Sequence, residues 1–260
     1  MNKILMAAMA AASVMPLWAV QGTIVSDTVT RKGDIKWYPS SKVYGVTYKG
    51  PSGGTMNYEV KLDNLKSIDI PKPANFDRLA ALVRDGNGAA AIGALKKIVA
   101  EYRMLTWDKP AGRYLVEAYI QAEKVQDAYS ACQAVFTDDK TAAYTGELAP
   151  AYWKCLLKLG KHTQLEEVLK KAATKGTRCD SASALVMRGD IALAKGGDNA
   201  EAYRQALVDG YLRVAFLYRD AECKIPCAEA LTKAAHCFDK LGQANRAEAM
   251  RTTLQQIQQS

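Results

Sequence analysis

Hydrophobic and polar positions follow two different periods along the chain. Between residues 22 and 70, apolar and polar residues alternate in short runs such as Val43–Tyr48 and Met56–Leu62, which are rich in β-branched and aromatic residues. Such alternation predicts strands with one buried face. From residue 74 onward, apolar residues recur at intervals of three and four, as on one face of an α-helix. The pattern therefore predicts a small β domain followed by a helical domain.

The predicted strands are short and are separated by turn residues. Asp34–Tyr38 and Ser67–Ile70 complete the set, and Pro39-Ser40-Ser41 and Gly50–Gly54 have the composition of turns. Four or five strands in a stretch of about 50 residues favour a meander that closes into a small barrel. The pattern resembles that of SH3-like or Sm-like barrels.

Charge gives no support to nucleic-acid binding. The chain carries 35 Lys and Arg against 27 Asp and Glu, a net charge of +8, and no run of like charge forms a basic arm. Trp37, Tyr44, Tyr48 and Lys49 could form an aromatic, basic face on the β domain. We interpret the aromatic residues as core instead, and expect no nucleic-acid partner.

Pro71–Pro73 forms a short hinge between the two domains. The helical domain, residues 74–258, is predicted to contain five helical hairpins: Asn75–Asp85 with Ala89–Leu105, Ala111–Glu123 with Val125–Phe136, Glu147–Leu159 with Thr163–Thr174, Ser181–Ala194 with Asn199–Tyr218, and Pro226–Leu241 with Gln243–Gln258. Glycines such as Gly160 and Gly242 fall between paired helices, where left-handed C-caps are expected.

The hairpins repeat at a period near 34 residues, and the last hairpin shows the spacing best. Leu231, Ala235 and Phe238 lie at offsets 0, 4 and 7, and Ala247 lies at offset 16. The alternation of small and large residues suits two closely packed helices. The second and third hairpins repeat this spacing, the first does so weakly, and the second helix of the fourth is out of register.

This spacing resembles that of tetratricopeptide-repeat (TPR) proteins over about 70% of the chain, and is similar to exported bacterial members that serve in envelope assembly and Tol-Pal coordination. The resemblance implies a mainly α fold, a TPR-like α-solenoid, that binds a protein or peptide in a groove without catalysis. In the TPR register, first-helix residues would line that groove: Arg113, Glu117, Lys154, Lys158, Asp190, Thr232, His236 and Asp239.

The first 19 residues have the pattern of a secretory signal peptide. Lys3 precedes an apolar run, Ile4–Val20, and the best cleavage position follows Ala19, with Gly22 as a second candidate. An uncleaved membrane anchor is the alternative, since the run is just long enough to span a bilayer. We therefore expect an exported protein, periplasmic or otherwise outside the cytoplasm, that meets the membrane only through this segment if it is uncleaved.

Candidate chemistry is sparse. Cys223, Cys227, His236 and Cys237 have the residue types of a zinc site, but adjacent helical residues such as His236 and Cys237 point about 100° apart. The six cysteines permit up to three disulfides in an exported chain, although Cys132 and Cys155 fit buried thiols equally well. No phosphate-binding, dinucleotide-binding or hydrolase motif occurs. We expect no metal, no cofactor and no enzymatic activity.

Three functions remain open on these observations. The favoured hypothesis is a non-enzymatic adaptor of the cell envelope that binds a protein or peptide in the helical groove, with the β domain as a second contact surface. An accessory or small-ligand-binding protein would instead use a site between the two domains, near Trp37 and Pro71. A purely structural envelope component is the third.

Overall fold

The computed structural model describes residues 19–259, which form two compact units. One unit contains the described residues up to Pro71 together with Ala100–Leu105. The other contains Lys72–Val99 and the described residues from Thr106 onward. The predicted signal peptide, apart from Ala19, lies outside the described residues.

An antiparallel sheet forms the first unit. Its strands are β1 (Val20–Ser26), β2 (Thr30–Tyr38), β3 (Val43–Lys49), β4 (Thr55–Lys61) and β5 (Leu65–Asp69), in the spatial order β4-β3-β2-β1-β5. Alternate residues such as Ile24, Ile35 and Val46 are buried, which follows from the period-two pattern. The β module is confirmed as a sheet. In the described residues β4 and β5 are the edges of its hydrogen-bonded ladder, and closure into a barrel stays a prediction.

The first strand begins two residues before the predicted β region. Val20 pairs with Ile35, and Gly22 pairs with Gly33. A Cβ atom on Gly22 would lie 2.7 Å from the backbone oxygen of Asp69, so a larger residue would push β1 away from β5. The sequence pattern missed this strand because glycine and glutamine weaken the alternation at its start.

Helical hairpins form the second unit, with bounds close to the predicted ones. The helices are α1 (Phe76–Arg84), α2 (Ile92–Glu101), α3 (Asp108–Gln121), α4 (Val125–Phe136), α5 (Leu148–Lys158), α6 (His162–Lys175), α7 (Arg178–Gly196), α8 (Ala200–Ala206), α9 (Leu212–Leu217), α10 (Lys224–Lys240) and α11 (Ala244–Gln259). The predicted array of helical hairpins is confirmed.

Residues 100–105 pack with the sheet although the sequence pattern placed them in the second helix. The helix ends at Glu101, and the Tyr44 hydroxyl donates a 3.0 Å hydrogen bond to the backbone oxygen of Met104. Trp37 and Tyr44 are both buried, with ring centroids 4.7 Å apart. These two aromatic residues therefore belong to the core, as we interpreted them, and not to an exposed nucleic-acid face.

Left-handed residues end several first helices, as predicted. Gly160 has φ +65° after α5, and the amide of Lys161 donates to the backbone oxygen of Leu156 at 2.9 Å. After α3 the same position is held by Glu123, with φ +59°. Because a Cβ atom disfavours this conformation, the turn between α3 and α4 is strained at Glu123.

The second helix of the fourth hairpin is interrupted by a π-helical turn, Leu207–Tyr211, between α8 and α9. Here Gly210 lies against Gly189 of α7: a Cβ atom on Gly210 would lie 2.7 Å from the Gly189 backbone nitrogen and 2.6 Å from the Leu185 backbone oxygen. A π turn adds residues to one turn of helix. That addition explains why this helix is out of register with the repeat.

One disulfide, Cys179–Cys223, joins the start of α7 to the short turn before α10. The remaining cysteines are buried free thiols: Cys132, Cys155, Cys227 and Cys237. The bridge therefore ties the fourth hairpin to the fifth, whereas the mid-helix cysteines serve as small apolar core residues. In the described range 19–259, no helix is long and apolar enough to cross a membrane.

Candidate functional site

The first helices of the second to fifth hairpins, α3, α5, α7 and α10, enclose a groove of about 290 Å³, hereafter the first-helix groove. Its lining comes from these helices and the turns that precede them: Arg113, Glu117, Thr145, Gly146, Glu147, Pro150, Lys154, Thr177, Cys179, Asp180, Ser183, Glu222, Ile225, Pro226 and Glu229. The repeat places residues of successive hairpins at equivalent positions, which is how one groove comes to contain residues so distant in sequence.

One wall of the groove is an ion pair within α3. The Arg113 guanidinium lies 3.2 Å from the Glu117 carboxylate, one helical turn away, and 3.9 Å from the carboxylate of Glu147. Burial by itself lowers the pKa of Arg113, but the Glu117 carboxylate outweighs this effect and the pKa is raised. Arg113 is therefore charged and already neutralised by its neighbours.

A connected series of charged groups links three of the helices around the groove. Lys154 of α5 lies 3.5 Å from Glu229 of α10, which also contacts Lys233 at 2.9 Å. Lys233 in turn lies 2.7 Å from Asp190 of α7, and the buried Tyr211 hydroxyl donates to the same carboxylate at 2.6 Å. This series fixes the spacing of α5, α7 and α10 around the groove.

The pKa values of these linked charged groups follow from their geometry. Burial alone would raise the pKa of Glu229, but Lys154 and Lys233 outweigh it and the pKa is lowered. Burial alone would lower the pKa of Lys233, but Glu229 and Asp190 outweigh it and the pKa is raised. Burial, with the adjacent Asp190 carboxylate, raises the pKa of Tyr211. The lowered pKa of Glu229 and the raised pKa of Lys233 mean that both of these groups are charged at neutral pH.

Asp180 anchors the base of the groove. Its carboxylate accepts hydrogen bonds from the Thr145 hydroxyl at 2.6 Å, the Gly146 amide at 2.9 Å and the Thr177 amide at 2.8 Å. The Thr177 side chain completes a capping box at the start of α7. Burial raises the pKa of Asp180, but these hydrogen bonds outweigh it and lower the pKa. Asp180 thus holds the turn before α5 against α7.

The groove carries an excess of negative charge on a protein that is basic overall. Five carboxylates but two cations are among its lining residues. Glu222 is exposed and has no ion-pair partner among the described residues. Beside it, Ile225 is 71% exposed, next to the buried Pro226, which also lines the groove. A ligand of this groove would meet carboxylates around an apolar patch.

The structure brings three of the predicted groove residues together and places the others elsewhere. Arg113, Glu117 and Lys154 line the groove. Asp190 lies outside the lining and pairs with Lys233, as described above. Lys158 is exposed and also lies outside the lining. Thr232 is exposed and also lies outside the lining, and its hydroxyl donates to the backbone oxygen of Ala228.

On α10 the predicted residues Thr232, His236 and Asp239 lie outside the lining of the groove. Asp239 pairs with Arg251 of α11, and exposed His236 lies near Tyr203 of α8. Glu229 and Lys233 face α5 and α7 in their place. Their spacing of four residues with opposite charges is a signal that the sequence offered. Nothing in the sequence pattern singled out Ile225, because one apolar residue before a proline has no periodicity.

The cysteines do not have the arrangement of a metal site or of an activated nucleophile. Cys223 of the zinc candidate is bonded to Cys179, and His236 is exposed while Cys227 and Cys237 are buried. Burial raises the pKa of Cys237 to about 11 and that of Cys155 to about 11, so these thiols are protonated at neutral pH. No group of three or more His, Cys, Asp or Glu in residues 19–259 could hold a metal ion.

Comparison with known proteins gives limited information. No family model matches the chain, and no curated protein matches it. Two solved structures, one of them a point variant of the other, are similar: both contain nearly identical TPR-like repeats attributed to a putative kinesin light chain of Podosopora anserina. Each is 16% identical, covers 71% of this chain and 93% of its own, and has a TM-score of 0.39. A TM-score of 0.39 is too low to support any inference about this chain.

Proposed function

We propose that the chain is a non-enzymatic scaffold whose first-helix groove binds an extended segment of a partner protein. The observation that carries this proposal is the lining itself, since four helices of successive hairpins contribute polar and apolar side chains to one open groove. Its cations are neutralised within the protein, so they fix the walls without requiring a ligand. A rigid, preformed groove lowers the entropy cost of binding a flexible segment.

The charge of the groove defines the chemistry of that partner. Carboxylates outnumber cations, and Glu222 and Glu147 stand near its rim, where a Lys or Arg side chain of the partner would replace solvent. Ile225, which is 71% exposed, offers contact to an aliphatic or aromatic side chain. We therefore assign the groove to a segment that combines positive charge with an apolar residue, recognised by complementary charge and one apolar anchor.

We place this function outside the cytoplasm, in the cell envelope. Two observations support export: the signal-peptide pattern of residues 1–19, and the Cys179–Cys223 disulfide, which forms and persists in oxidising compartments. N-terminal sequencing of the protein from its native cells should give a chain that begins near Val20. A chain that still begins at Met1 would contradict cleavage.

The β unit supplies a second contact surface in this proposal. Its strand order, with a 3₁₀ turn at Leu62–Asn64 before the last strand, supports assignment to an SH3-like barrel. Tyr38 is 39% exposed and Met56 is 47% exposed on this unit, so both can contact a partner. Scattered exposed apolar residues are common, and the groove is therefore the better assigned site.

Site-specific photo-crosslinking in cells tests the proposal. A photoreactive residue at Ser183, which lines the groove, should give an adduct with a polypeptide whose crosslinked segment contains Lys or Arg. The control position is Val208, which is 65% exposed and outside the groove. No polypeptide adduct from Ser183, or the same adducts from both positions, would contradict a binding function for the groove.

A further inference from the structure

A second pocket, unrelated to the first-helix groove, lies between α6, α7 and the segment α8–α9. It has a volume of about 780 Å³, and we call it the α6–α9 pocket. The residues that matter for its chemistry are Leu169, Lys170, Arg188, Ile191, Asp209 and Arg213. Three separate helices thus bring basic side chains to one concave surface, around an apolar patch.

Three cations of this pocket differ from those of the groove in having no ion-pair partners. Lys170, Arg188 and Arg213 form no ion pair among the described residues. By contrast, the groove cations Arg113 and Lys154 both contact carboxylates. Glu166, which pairs with Lys195, and Asp209 also line the pocket, so it has four cations against two carboxylates. Like charges that face one cavity repel one another, and the three unpaired cations have no ion pair within the described part of the free protein to offset that repulsion. A negatively charged ligand would remove that repulsion.

The π-helical turn contributes directly to this pocket. Asp209 lies within the turn and Arg213 follows it by less than one turn of α9. The close contact of Gly210 with Gly189 holds this segment against α7, next to Arg188. A π turn is less favourable than a continuous α-helix and often marks a functional site. Here it determines which face of α9 meets the pocket.

We propose that the α6–α9 pocket binds an oxyanion, a carboxylate or a phosphate, on a ligand with an apolar body. Two guanidinium groups suit the paired oxygens of either anion, because the planar donor fork can bond both oxygens at once. Lys170 adds a third positive charge. Leu169 and Ile191 would contact the apolar part of the ligand. This site is independent of the polypeptide site assigned to the first-helix groove.

Titrations of the purified chain with inorganic phosphate and with succinate, at constant ionic strength, test this assignment. NMR or calorimetry should detect saturable binding of at least one of the two anions, in the roughly millimolar range that small charged ligands reach. The anion that binds more tightly identifies the source of the oxyanion. Arg188→Gln and Arg213→Gln should each weaken binding at least tenfold.

The matched control is Arg204→Gln, which removes a positive charge from α8 at a residue that is outside this pocket and pairs with Glu201. This variant should bind the anion as the parent does. To check that the Arg188 and Arg213 variants fold, their melting temperatures are measured without anion. These temperatures should equal or exceed that of the parent. Saturable binding of neither anion, or equal weakening in all three variants, would overturn the proposal.

Discussion

The fourth and fifth hairpins solve the same packing problem in different ways. In the fifth hairpin, Ala235 and Ala247 are buried and the helices α10 and α11 are continuous. In the fourth, Gly189 and Gly210 bring two backbones into contact, and a π-helical turn interrupts the second helix. A contact between two glycines allows closer approach than one between two alanines, and here it comes with a shift of register.

That difference changes the surface of the molecule. The regular hairpin places Glu229 and Lys233 toward α5 and α7, where they form ion pairs. The irregular hairpin places Arg213 at a pocket where it has no ion-pair partner within residues 19–259. The first helices of the second to fifth hairpins therefore build the walls of the first-helix groove, whereas the irregular second helix of the fourth hairpin lines a separate pocket.

The fifth hairpin should depend most on its large buried residue. Phe238 is 6% exposed within the core that α7 to α11 share. Phe238→Ala should lower the free energy of unfolding by roughly 3–5 kcal/mol, through lost burial and the cavity left behind. Urea melts measure this loss. The control, His236→Ala at an exposed position, should change it by less than about 0.5 kcal/mol; a larger loss for His236 would show that α10 is oriented wrongly.

The two hairpins are joined through Asp190, so its removal should damage both. Asp190→Ala leaves the buried Tyr211 hydroxyl without its acceptor and deprives Lys233 of one partner. The expected loss is roughly 1.5–3 kcal/mol, since hydrogen bonds to a charged group are being broken. Asp239→Ala breaks a half-exposed pair with Arg251 and should cost less than about 1 kcal/mol. Equal losses of unfolding free energy for the Asp190 and Asp239 variants in denaturant melts would contradict the role of Asp190 in joining the two hairpins.

The glycine contact of the fourth hairpin should not tolerate a methyl group. In Gly210→Ala, the new Cβ atom would meet the backbone of α7 at Leu185 and Gly189, and backbone cannot move aside as a side chain can. We expect a loss of roughly 1–3 kcal/mol by overpacking. Gly93→Ala, in open space on α2, should instead stabilise the protein by up to about 1 kcal/mol. A neutral Gly210→Ala variant in thermal melts would refute the backbone contact.

A smaller gain should follow from giving the second hairpin the turn residue of the fifth. Glu123 has φ +59° where Gly242 has φ +69°. Glu123→Gly should raise the free energy of unfolding by roughly 0.5–1 kcal/mol, because glycine has no Cβ atom to oppose this conformation. Glu123→Ala retains the Cβ atom and should give no such gain. The same shift in both variants would mean that the turn is unstrained.

Local patterns predicted most of the helices and part of the site. The bounds of α4 at Val125 and Phe136 coincide with the predicted ones, because apolar periodicity and turn residues are local signals. The π turn could not be predicted from local pattern, because it accompanies the contact of Gly210 with Gly189, a residue of α7 that is distant in sequence. Segment 100–105 was misplaced for the same reason: its packing against the sheet overrides helical propensity.

For the groove, the predicted residues Arg113, Glu117 and Lys154 line the cavity, whereas the predicted residues of α10 do not. One residue of error in register turns a helix by about 100°, which exchanges Lys233 for Thr232 on the face toward α7. The repeat pattern constrains buried positions well, because packing requires small and large residues at fixed offsets. Exposed positions are less constrained, and their assignment depends on contacts between hairpins.

The first-helix groove should select polypeptide segments that carry positive charge. Selection of random peptides displayed on phage by the immobilised chain tests it directly. We predict enrichment of sequences that combine Lys or Arg with an apolar residue, and loss of that enrichment when Glu147 and Glu222 are both replaced by Lys. Enrichment that survives the double replacement, or no enrichment of basic sequences, would contradict the account.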